Sequence, residues 1–176
     1  MSSAIVTVGI SGNGSEEVKA HLKDIPKLFL NNRPNSFAAS IITRLSLTEV
    51  SIKSNAVEPQ RKEGLVVHTI TVEEDMVNGG GNIHGGCSAF LIDICSTASI
   101  MALKISQGLT TLDVSQSLNI VYHAPAAIGE SLRIVNTTMT VGRRVASART
   151  EIWSETHHRL VASGVHIKME PSPTKL

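Results

Sequence analysis

The chain has 176 residues, 41% of them hydrophobic, which allows one domain with a sizeable core and is too short for two ordinary domains. Its formal net charge is +1, from 16 Lys and Arg against 15 Asp and Glu. This balance provides no overall electrostatic field that would favour nucleic acid or an anionic membrane, so any anionic ligand has to be held by local cations.

The N-terminal region is predicted to hold a flexible segment and one helix. Residues 1–14 are small and rich in Gly and Ser, which predicts a flexible N-terminus. Ser15, followed by two acidic residues, is typical of a helix N-cap, and apolar residues at helical spacing continue the pattern until a proline stops it. We therefore expect a helix over 15–36, one domain over 37–170 and a short tail over 171–176.

Alternating apolar residues predict about six strands in that domain. Two precede a long apolar segment and about four follow it, separated by turn-prone residues. The turn Gly142-Arg143-Arg144 is typical of a hairpin. The predicted strands are 45–52, 64–72, 110–123, 132–141, 145–153 and 160–169.

The most distinctive segment is Cys87–Leu103, CSAFLIDICSTASIMAL, which is apolar or small throughout except for Asp93. Its polar residues favour a buried helix over a membrane span, where a central Asp costs about 2.5–3.5 kcal/mol. A helix that is apolar on all sides must be covered, which predicts an α+β domain in which one antiparallel sheet wraps around the helix. Because burial of an unpaired carboxylate is costly, Asp93 needs a partner, a raised pKa or a task.

A glycine-rich segment, Asn78-Gly-Gly-Gly-Asn82-Ile-His84-Gly-Gly86, precedes this helix. It places two amides and an imidazole at a helix N-terminus, where free N–H groups and the helix dipole stabilise a developing oxyanion. Together with the carboxylate of Asp93, this predicts a site for acyl transfer or hydrolysis. On one helix, however, His84 and Asp93 would be separated by roughly 900° of rotation and 13.5 Å of rise. They would face opposite ways, so a site that uses both needs a second subunit.

The remaining reactive side chains indicate free thiols and no metal centre. Cys87 and Cys95 would lie roughly 12 Å apart along one helix, beyond the reach of a disulfide. Free thiols predict a reducing compartment and the N-terminus shows no targeting pattern, so we expect a cytoplasmic or mitochondrial protein that is not secreted. The seven histidines show no ligand spacing, and the sequence lacks a Gly-x-Ser-x-Gly elbow, so we expect no metal, no cofactor and no covalent nucleophile.

Two segments together resemble a known family. They are the stretch 78–101 and Val114-Ser-Gln-Ser-Leu-Asn-Ile-Val-Tyr122-His-Ala-Pro125-Ala. The His-Gly-Gly motif with an Asp nine residues after the His, the upstream Asn and the V-S-x-x-x-N-x-x-Y pattern are similar to the hotdog-fold acyl-CoA thioesterases of the phenylacetate-pathway and mammalian thioesterase-superfamily type. The resemblance covers roughly residues 40–170 and implies the hotdog fold.

That resemblance implies a role for each residue of the predicted catalytic site. The Gly85 amide and the Asn78 side chain would polarise the thioester carbonyl. Asp93, donated by the other subunit, would position or deprotonate the attacking water, and Ser115 would help to hold that water. His84 would orient the site or contact the leaving thiolate.

The residues by themselves leave alternatives open. Asn78 could be only a turn residue, and His84 could be only a histidine that starts the helix. Asp93 could be a hydrogen-bonded structural carboxylate. Asn82 could take the place of Asn78 at the carbonyl, and Ser117 is the fallback for the strand serine.

The resemblance also implies contacts with coenzyme A. The arginine pair of the hairpin turn and a lysine on the last strand match positions that contact the nucleotide in relatives, and the segment 122–127 matches another contacting loop. An arginine pair in a tight turn is otherwise an ordinary solvated feature. The implied substrate-binding residues are Tyr122, His123, Ala124, Pro125, Gly142, Arg143, Arg144 and Lys168.

These implications predict an acyl-CoA thioesterase that releases free acid and coenzyme A without a metal or cofactor. The implied partners are acyl-CoA and further copies of the chain, as a homodimer or a dimer of dimers, with no nucleic acid and no membrane insertion. The alternative is a non-catalytic hotdog module that binds acyl-CoA or a protein partner. Hotdog hydratases are disfavoured because their Asp-x-Asn-Pro-x-His run is absent.

Overall fold

The computed structural model describes residues 9–24, 29, 30, 33 and 35–171. The structure gives bounds for three α-helices, six strands and a short 3-10 turn at Glu74–Met76 among these residues. The helices are α1 (Glu16–Lys23), α2 (Ala39–Arg44) and α3 (Gly85–Ser106). The strands are β1 (Ser46–Ser54), β2 (Lys62–Thr71), β3 (Val114–Tyr122), β4 (Ser131–Val141), β5 (Val145–Ser154) and β6 (Arg159–Met169).

The six strands form one antiparallel sheet in the order β1-β2-β4-β5-β6-β3. Strand β3 follows α3 in the chain but pairs with β6, so it forms one free edge of the sheet within the described chain. Helix α3 packs against β2, β4 and β5 in the middle of the sheet. This arrangement confirms the predicted hotdog fold.

Helix α3 is long and apolar enough to cross a membrane, but most of it is buried inside the sheet, as predicted for a core helix. Two glycines let the strands approach it. A Cβ at Gly64 of β2 would lie 2.5 Å from the carbonyl oxygen of Ser99, and a Cβ at Gly164 of β6 would lie 3.0 Å from Ile92. The sheet therefore contacts the helix more closely than any larger residue would allow.

Residues 9–14, which belong to the segment predicted to be flexible, lie beside β1, whereas residues 1–8 lie outside the described residues. The Ser11 N–H donates to the carbonyl of Thr48 at 2.9 Å, and the Gly14 N–H donates to that of Val50 at 2.9 Å. A Cβ at Gly12, whose φ is 91°, would lie 2.2 Å from the Val50 oxygen. The glycines thus permit close pairing with β1 rather than flexibility.

Helix α1 is shorter than the predicted helix over 15–36. Ser15 is its N-cap, as predicted, with the hydroxyl accepting from the Val18 N–H at 3.3 Å, but the helix ends at Lys23. Residues 25–28, 31, 32 and 34 lie outside the described residues, as do residues 172–176 of the predicted tail. Helix α2, which was not predicted, follows Ala38 in the left-handed region at φ 54°.

Candidate active site

The N-terminus of α3 holds its imidazole cap in one tautomer. His84 is the N-cap, and its Nδ1 accepts from the Gly86 N–H at 2.8 Å. Because Nδ1 acts as an acceptor, the neutral ring carries its proton on the exposed Nε2. The first intrahelical bond runs from the Ser88 N–H to the His84 carbonyl, so the Gly85 N–H precedes the helical ladder and finds no acceptor among the described residues.

Asn78 closes the preceding turn with its oxygen and keeps its nitrogen free. Its Oδ1 accepts from the Gly80 N–H at 2.9 Å and from the Asn82 N–H at 3.4 Å. The Asn82 amide nitrogen, in contrast, donates to the Gly80 carbonyl at 3.1 Å. Among the described residues nothing accepts from the Asn78 Nδ2, so both of its N–H groups are available to a ligand carbonyl, whereas Asn82 has one of its two engaged.

The end of β3 lies against the start of α3. The Tyr122 hydroxyl donates to the Gly85 carbonyl at 3.1 Å, and the Tyr122 ring lies within 3.3 Å of a Cβ built at Gly85. A cleft of about 410 Å³ opens here. Six predicted site residues share its lining with Asn82, Ile83, Ser88 and Val161: Asn78, Gly85, Tyr122, His123, Ala124 and Pro125.

The carboxylate lies at a different place, beside the other end of β3. Asp93 is not buried, since 40% of its side chain is exposed. Its Oδ1 accepts from the Ser115 hydroxyl at 3.3 Å. The β3–β6 register shifts between Ser115 and Ser117. Such a bulge breaks the alternation that would otherwise put both serines on one face, so the structure selects Ser115 as the neighbour of Asp93.

His166 is a neighbour of Asp93 that sequence reasoning missed. It is fully buried, with Nδ1 2.7 Å from the Ser96 hydroxyl and Nε2 3.5 Å from Asp93 Oδ1. Burial lowers the pKa of His166, as does the charge of Lys168, while Asp93 opposes them. A neutral ring beside a carboxylate is most stable with its proton on Nε2, facing Asp93.

Lys168 belongs to this cluster as well. It was predicted to contact the nucleotide, but it is only 5% exposed and its Nζ donates to the Ser115 hydroxyl at 3.3 Å. Burial lowers its pKa, and the nearby Asp93 and Asp113 carboxylates oppose that effect. This burial argues against the predicted phosphate contact, because the ammonium faces the interior. Strand alternation was the missed signal, since residues 164, 166 and 168 of β6 share one face.

A second buried lysine fixes the start of β3. Lys104, near the end of α3, donates to Asp113 at 2.6 and 2.7 Å, and only 5% and 3% of the two side chains are exposed. Asp113 immediately precedes β3. The pair therefore anchors the connection that positions Ser115.

The predicted arginine pair occupies the exposed β4–β5 turn. The Gly142 N–H donates to the Val145 carbonyl at 2.9 Å and closes this turn. Arg143 and Arg144 are exposed, and neither forms an ion pair within the described part of the chain. Both guanidinium groups are thus available to an anionic ligand.

Within one chain the predicted catalytic residues lie in two separate groups, or half-sites, Gly85 with Asn78 and Asp93 with Ser115. Gly85 and Asp93 are eight residues apart on α3, roughly 12 Å along the helix axis. A carbonyl bound by the Gly85 N–H is therefore too far from Asp93 for one water to bridge them, since each hydrogen bond spans about 3 Å.

Comparisons with known proteins show which family the chain belongs to. The sequence model of the thioesterase superfamily matches residues 80–161. Acyl-coenzyme A thioesterase 13 of mouse is 36% identical over 97 residues, which cover 55% of this chain and 66% of the mouse protein. The human protein of that name is 31% identical over 105 residues, which cover 60% of this chain and 72% of the human protein. The chain belongs to the thioesterase superfamily.

Solved structures of superfamily members match the fold. Zebrafish thioesterase superfamily member 2 superposes with a TM-score of 0.68 at 26% identity, over 85% of this chain and 98% of the zebrafish chain. A hypothetical thioesterase from Streptococcus pneumoniae TIGR4, solved with coenzyme A, matches with a TM-score of 0.60 at 18% identity, over 74% of this chain and 88% of its own. At that identity the second likeness shows the fold alone.

Proposed function

We propose that this thioesterase superfamily member hydrolyses acyl-CoA thioesters to free acid and coenzyme A, in a homodimer whose active sites each draw on both chains. The observation that carries the proposal is the position of the two half-sites at opposite ends of the edge strand β3, Asp93 beside Ser115 and Gly85 beside Tyr122. The activity named for the mouse and human relatives supports the same substrate class.

Antiparallel pairing of β3 with the β3 of a second copy would complete both sites. If the twofold axis passes between Leu118 and Asn119, Ser115 of one copy lies opposite Tyr122 of the other. Each Asp93 would then lie near the Gly85 of the other copy. Such pairing would also satisfy the free edge of β3 and cover part of Val121, which is 52% exposed.

The proposed chemistry begins with polarisation of the thioester. The Gly85 N–H and the Asn78 Nδ2 donate to the carbonyl oxygen and stabilise the oxyanion that develops as water attacks. Asp93 of the other copy has its Oδ1 held by Ser115 and faced by His166, which leaves Oδ2 to take a proton from the water.

Collapse of the tetrahedral intermediate completes the reaction. The new C–O bond remains, the C–S bond breaks, and the sulfur leaves as the thiolate of coenzyme A. The Nε2–H of His84 can donate to that sulfur because Nδ1 is occupied by the Gly86 N–H. The proton on Asp93 passes to the thiolate or to solvent, which regenerates the carboxylate.

The proposed binding of coenzyme A divides between two regions. The pantetheine arm would lie in the cleft formed by Tyr122, His123, Ala124 and Pro125. The phosphates would contact Arg143 and Arg144 of the β4–β5 turn, as fork-shaped guanidinium donors suit phosphate oxygens. The mouse and human relatives, both named acyl-coenzyme A thioesterase 13, support this ligand class.

Assembly and location extend the proposal. A dimer of dimers could bury further exposed apolar side chains, of which Leu109 and Leu112 are each 48% exposed. Cys87 and Cys95 are both free thiols, which supports a reducing compartment such as the cytoplasm or the mitochondrial matrix.

The test is thiol release from a panel of acyl-CoA thioesters by the purified protein, with and without EDTA. We expect turnover whose rate EDTA does not change, because every proton and charge in the proposed steps is handled by side chains and amides. Tight acyl-CoA binding without turnover would instead support the non-catalytic binding module.

A further inference from the structure

We propose that Glu130 is a positioning residue of the active site, which holds the chain segment against which the oxyanion donor Asn78 is set. Glu130 directly precedes β4 and does not line the cleft, so it is not placed to touch the substrate. This inference rests on the proposed thioesterase function, because it explains what keeps one of the two carbonyl donors in place.

Glu130 is a buried carboxylate that is surrounded by donors. Its side chain is 6% exposed, and its Oε1 accepts from the Ala127 N–H at 2.9 Å and from Arg159 at 3.3 Å. Its Oε2 accepts from the Ser154 hydroxyl at 2.6 Å, and His157 Nε2 lies 3.6 Å from Oε1. A charge that is removed from water needs such partners, and here they come from the segment before β4, from β5 and from the start of β6.

These contacts keep Glu130 ionised. Burial raises the pKa of Glu130, whereas the hydrogen bonds from Ser154 and Ala127 lower it. The charges of His157 and Arg159 lower it as well, and the pKa of Glu130 lies below the usual range. An ionised carboxylate only accepts hydrogen bonds, so the N–H of Ala127 is held in one direction.

The segment around Ala127 pairs with the glycine-rich turn that precedes α3. Ala127 and Asn82 form an antiparallel bridge, and the Ile83 N–H donates to the Ala126 carbonyl at 2.7 Å. The N–H of Ala127 is not used in this bridge, because it donates to Glu130. Glu130 therefore fixes one side of the bridge without competing for the hydrogen bonds of the other side.

Asn78 depends on the same bridge through Asn82. The Asn78 N–H donates to the Asn82 carbonyl at 2.8 Å, and the Gly81 N–H donates to the Asn78 carbonyl at 2.9 Å. The Asn78 Oδ1 also accepts from the Asn82 N–H at 3.4 Å. With these atoms engaged, the direction of the Asn78 Nδ2 follows the position of Asn82. Since a displacement of about 1 Å in a catalytic group can cost about 100-fold in rate, the link from Glu130 through Ala127 and Asn82 affects kcat.

The first test uses two conservative variants with opposite properties. Glu130→Gln keeps the length of the side chain and an acceptor for the Ala127 N–H, but it removes the charge. Glu130→Asp keeps the charge, but its carboxylate lies about 1.5 Å, the length of one C–C bond, further from that N–H and beyond hydrogen-bond distance. We expect Glu130→Asp to lower kcat by about tenfold or more and Glu130→Gln to lower it less than about threefold. The dissociation constant of coenzyme A should change less than about threefold in both variants.

Ser154→Ala is the matched control, because it removes a partner of Oε2 and leaves the bond from the Ala127 N–H to Oε1. Like Glu130→Gln, it should lower the thermal midpoint while kcat stays near the parent value. A purely structural role of Glu130 would instead make kcat fall in step with the thermal midpoint in all three variants.

The second test does not depend on activity. Amide hydrogen exchange of the full chain, resolved by NMR, reports directly on the N–H groups of Ala127 and Ile83. Glu130→Asp should speed the exchange of both amides by about tenfold or more relative to the parent, whereas Glu130→Gln and Ser154→Ala should change it less than about threefold.

The outcomes separate this inference from the proposed function. Faster exchange at Ile83 in Glu130→Asp alone, in a protein that hydrolyses no thioester, would support the link and contradict the catalytic proposal. Turnover by the parent with an equal loss of kcat in Glu130→Gln and Glu130→Asp, or exchange at Ile83 that no variant changes, would overturn the link. Loss of kcat or fast exchange in Glu130→Gln overturns it even if Glu130→Asp does not fold.

Discussion

At the scale of single residues, Asp93 has the surroundings of a base rather than of a core carboxylate. Its side chain is partly exposed and hydrogen-bonded through Oδ1 alone within the described chain. Asp93→Asn preserves the shape but removes the proton acceptor, so kcat should fall about 100-fold or more, with the thermal midpoint unchanged or raised. Ser115→Ala removes the hydroxyl that contacts the Asp93 carboxylate. Ser117→Ala removes a hydroxyl that does not contact it and is therefore the matched control. Easy unfolding of Asp93→Asn with full kcat in its folded fraction would identify a structural role.

His84 combines two roles that substitutions can separate. Its Nδ1 caps the helix by accepting from the Gly86 N–H, and the other ring nitrogen, Nε2, can donate its proton to a ligand. His84→Ala should lose both roles and lower stability by about 1 kcal/mol, the usual value of a cap. His84→Ser should retain the cap and the thermal midpoint but still lower kcat, measured by thiol release and thermal unfolding. Full activity in the serine variant would limit His84 to capping.

His68 makes stability depend on pH. It is buried on β2, and burial lowers its pKa from 6.5 to about 4. Between these values the unfolded chain binds a proton that the folded chain does not, so the free energy of unfolding decreases as the pH falls from 6.5 to 4, by roughly 3 kcal/mol from this group. His68→Leu should flatten the fall in thermal midpoint over this range. His158→Asn, in an exposed turn, should not change this fall in thermal midpoint. If both variants lose thermal midpoint equally with falling pH, a group other than His68 causes the pH dependence.

At the scale of elements, the buried Lys104–Asp113 pair connects α3 to β3. Lys104→Met should cost about 3–5 kcal/mol because Asp113 is left buried without a cation. The double variant Lys104→Met with Asp113→Leu should recover most of that loss in urea unfolding. Its kcat should nevertheless stay below the parent value, since the connection also positions Ser115. If the double variant is as unstable as the single one, the loss of stability comes from lost packing rather than from the unpaired charge of Asp113.

The same elements show what the sequence could predict. Strand alternation and the apolar run of α3 are local patterns, and they placed the strands and α3 within a few residues of their observed bounds. The pairing of residues 9–14 with β1 depends on contacts about 37 positions away, which no local pattern encodes. The burial of Lys168, in contrast, follows from a local pattern, because alternation along β6 puts residues 164, 166 and 168 on its buried face.

At the scale of the whole molecule, the two half-sites predict complementation between inactive subunits. Asn78→Ala and Asp93→Asn should each inactivate the homodimer. If each site takes Asn78 from one chain and Asp93 from the other, a mixed dimer contains one doubly damaged site and one intact site. Random 1:1 reassortment after unfolding and refolding gives about half mixed dimers, so activity should recover to roughly a quarter of the parent value per site. An unmixed blend of the two variants is the control. If mixed dimers are confirmed by mass but have no activity, the whole site lies within one chain. That result would contradict the inference drawn from the roughly 12 Å between Gly85 and Asp93 on α3.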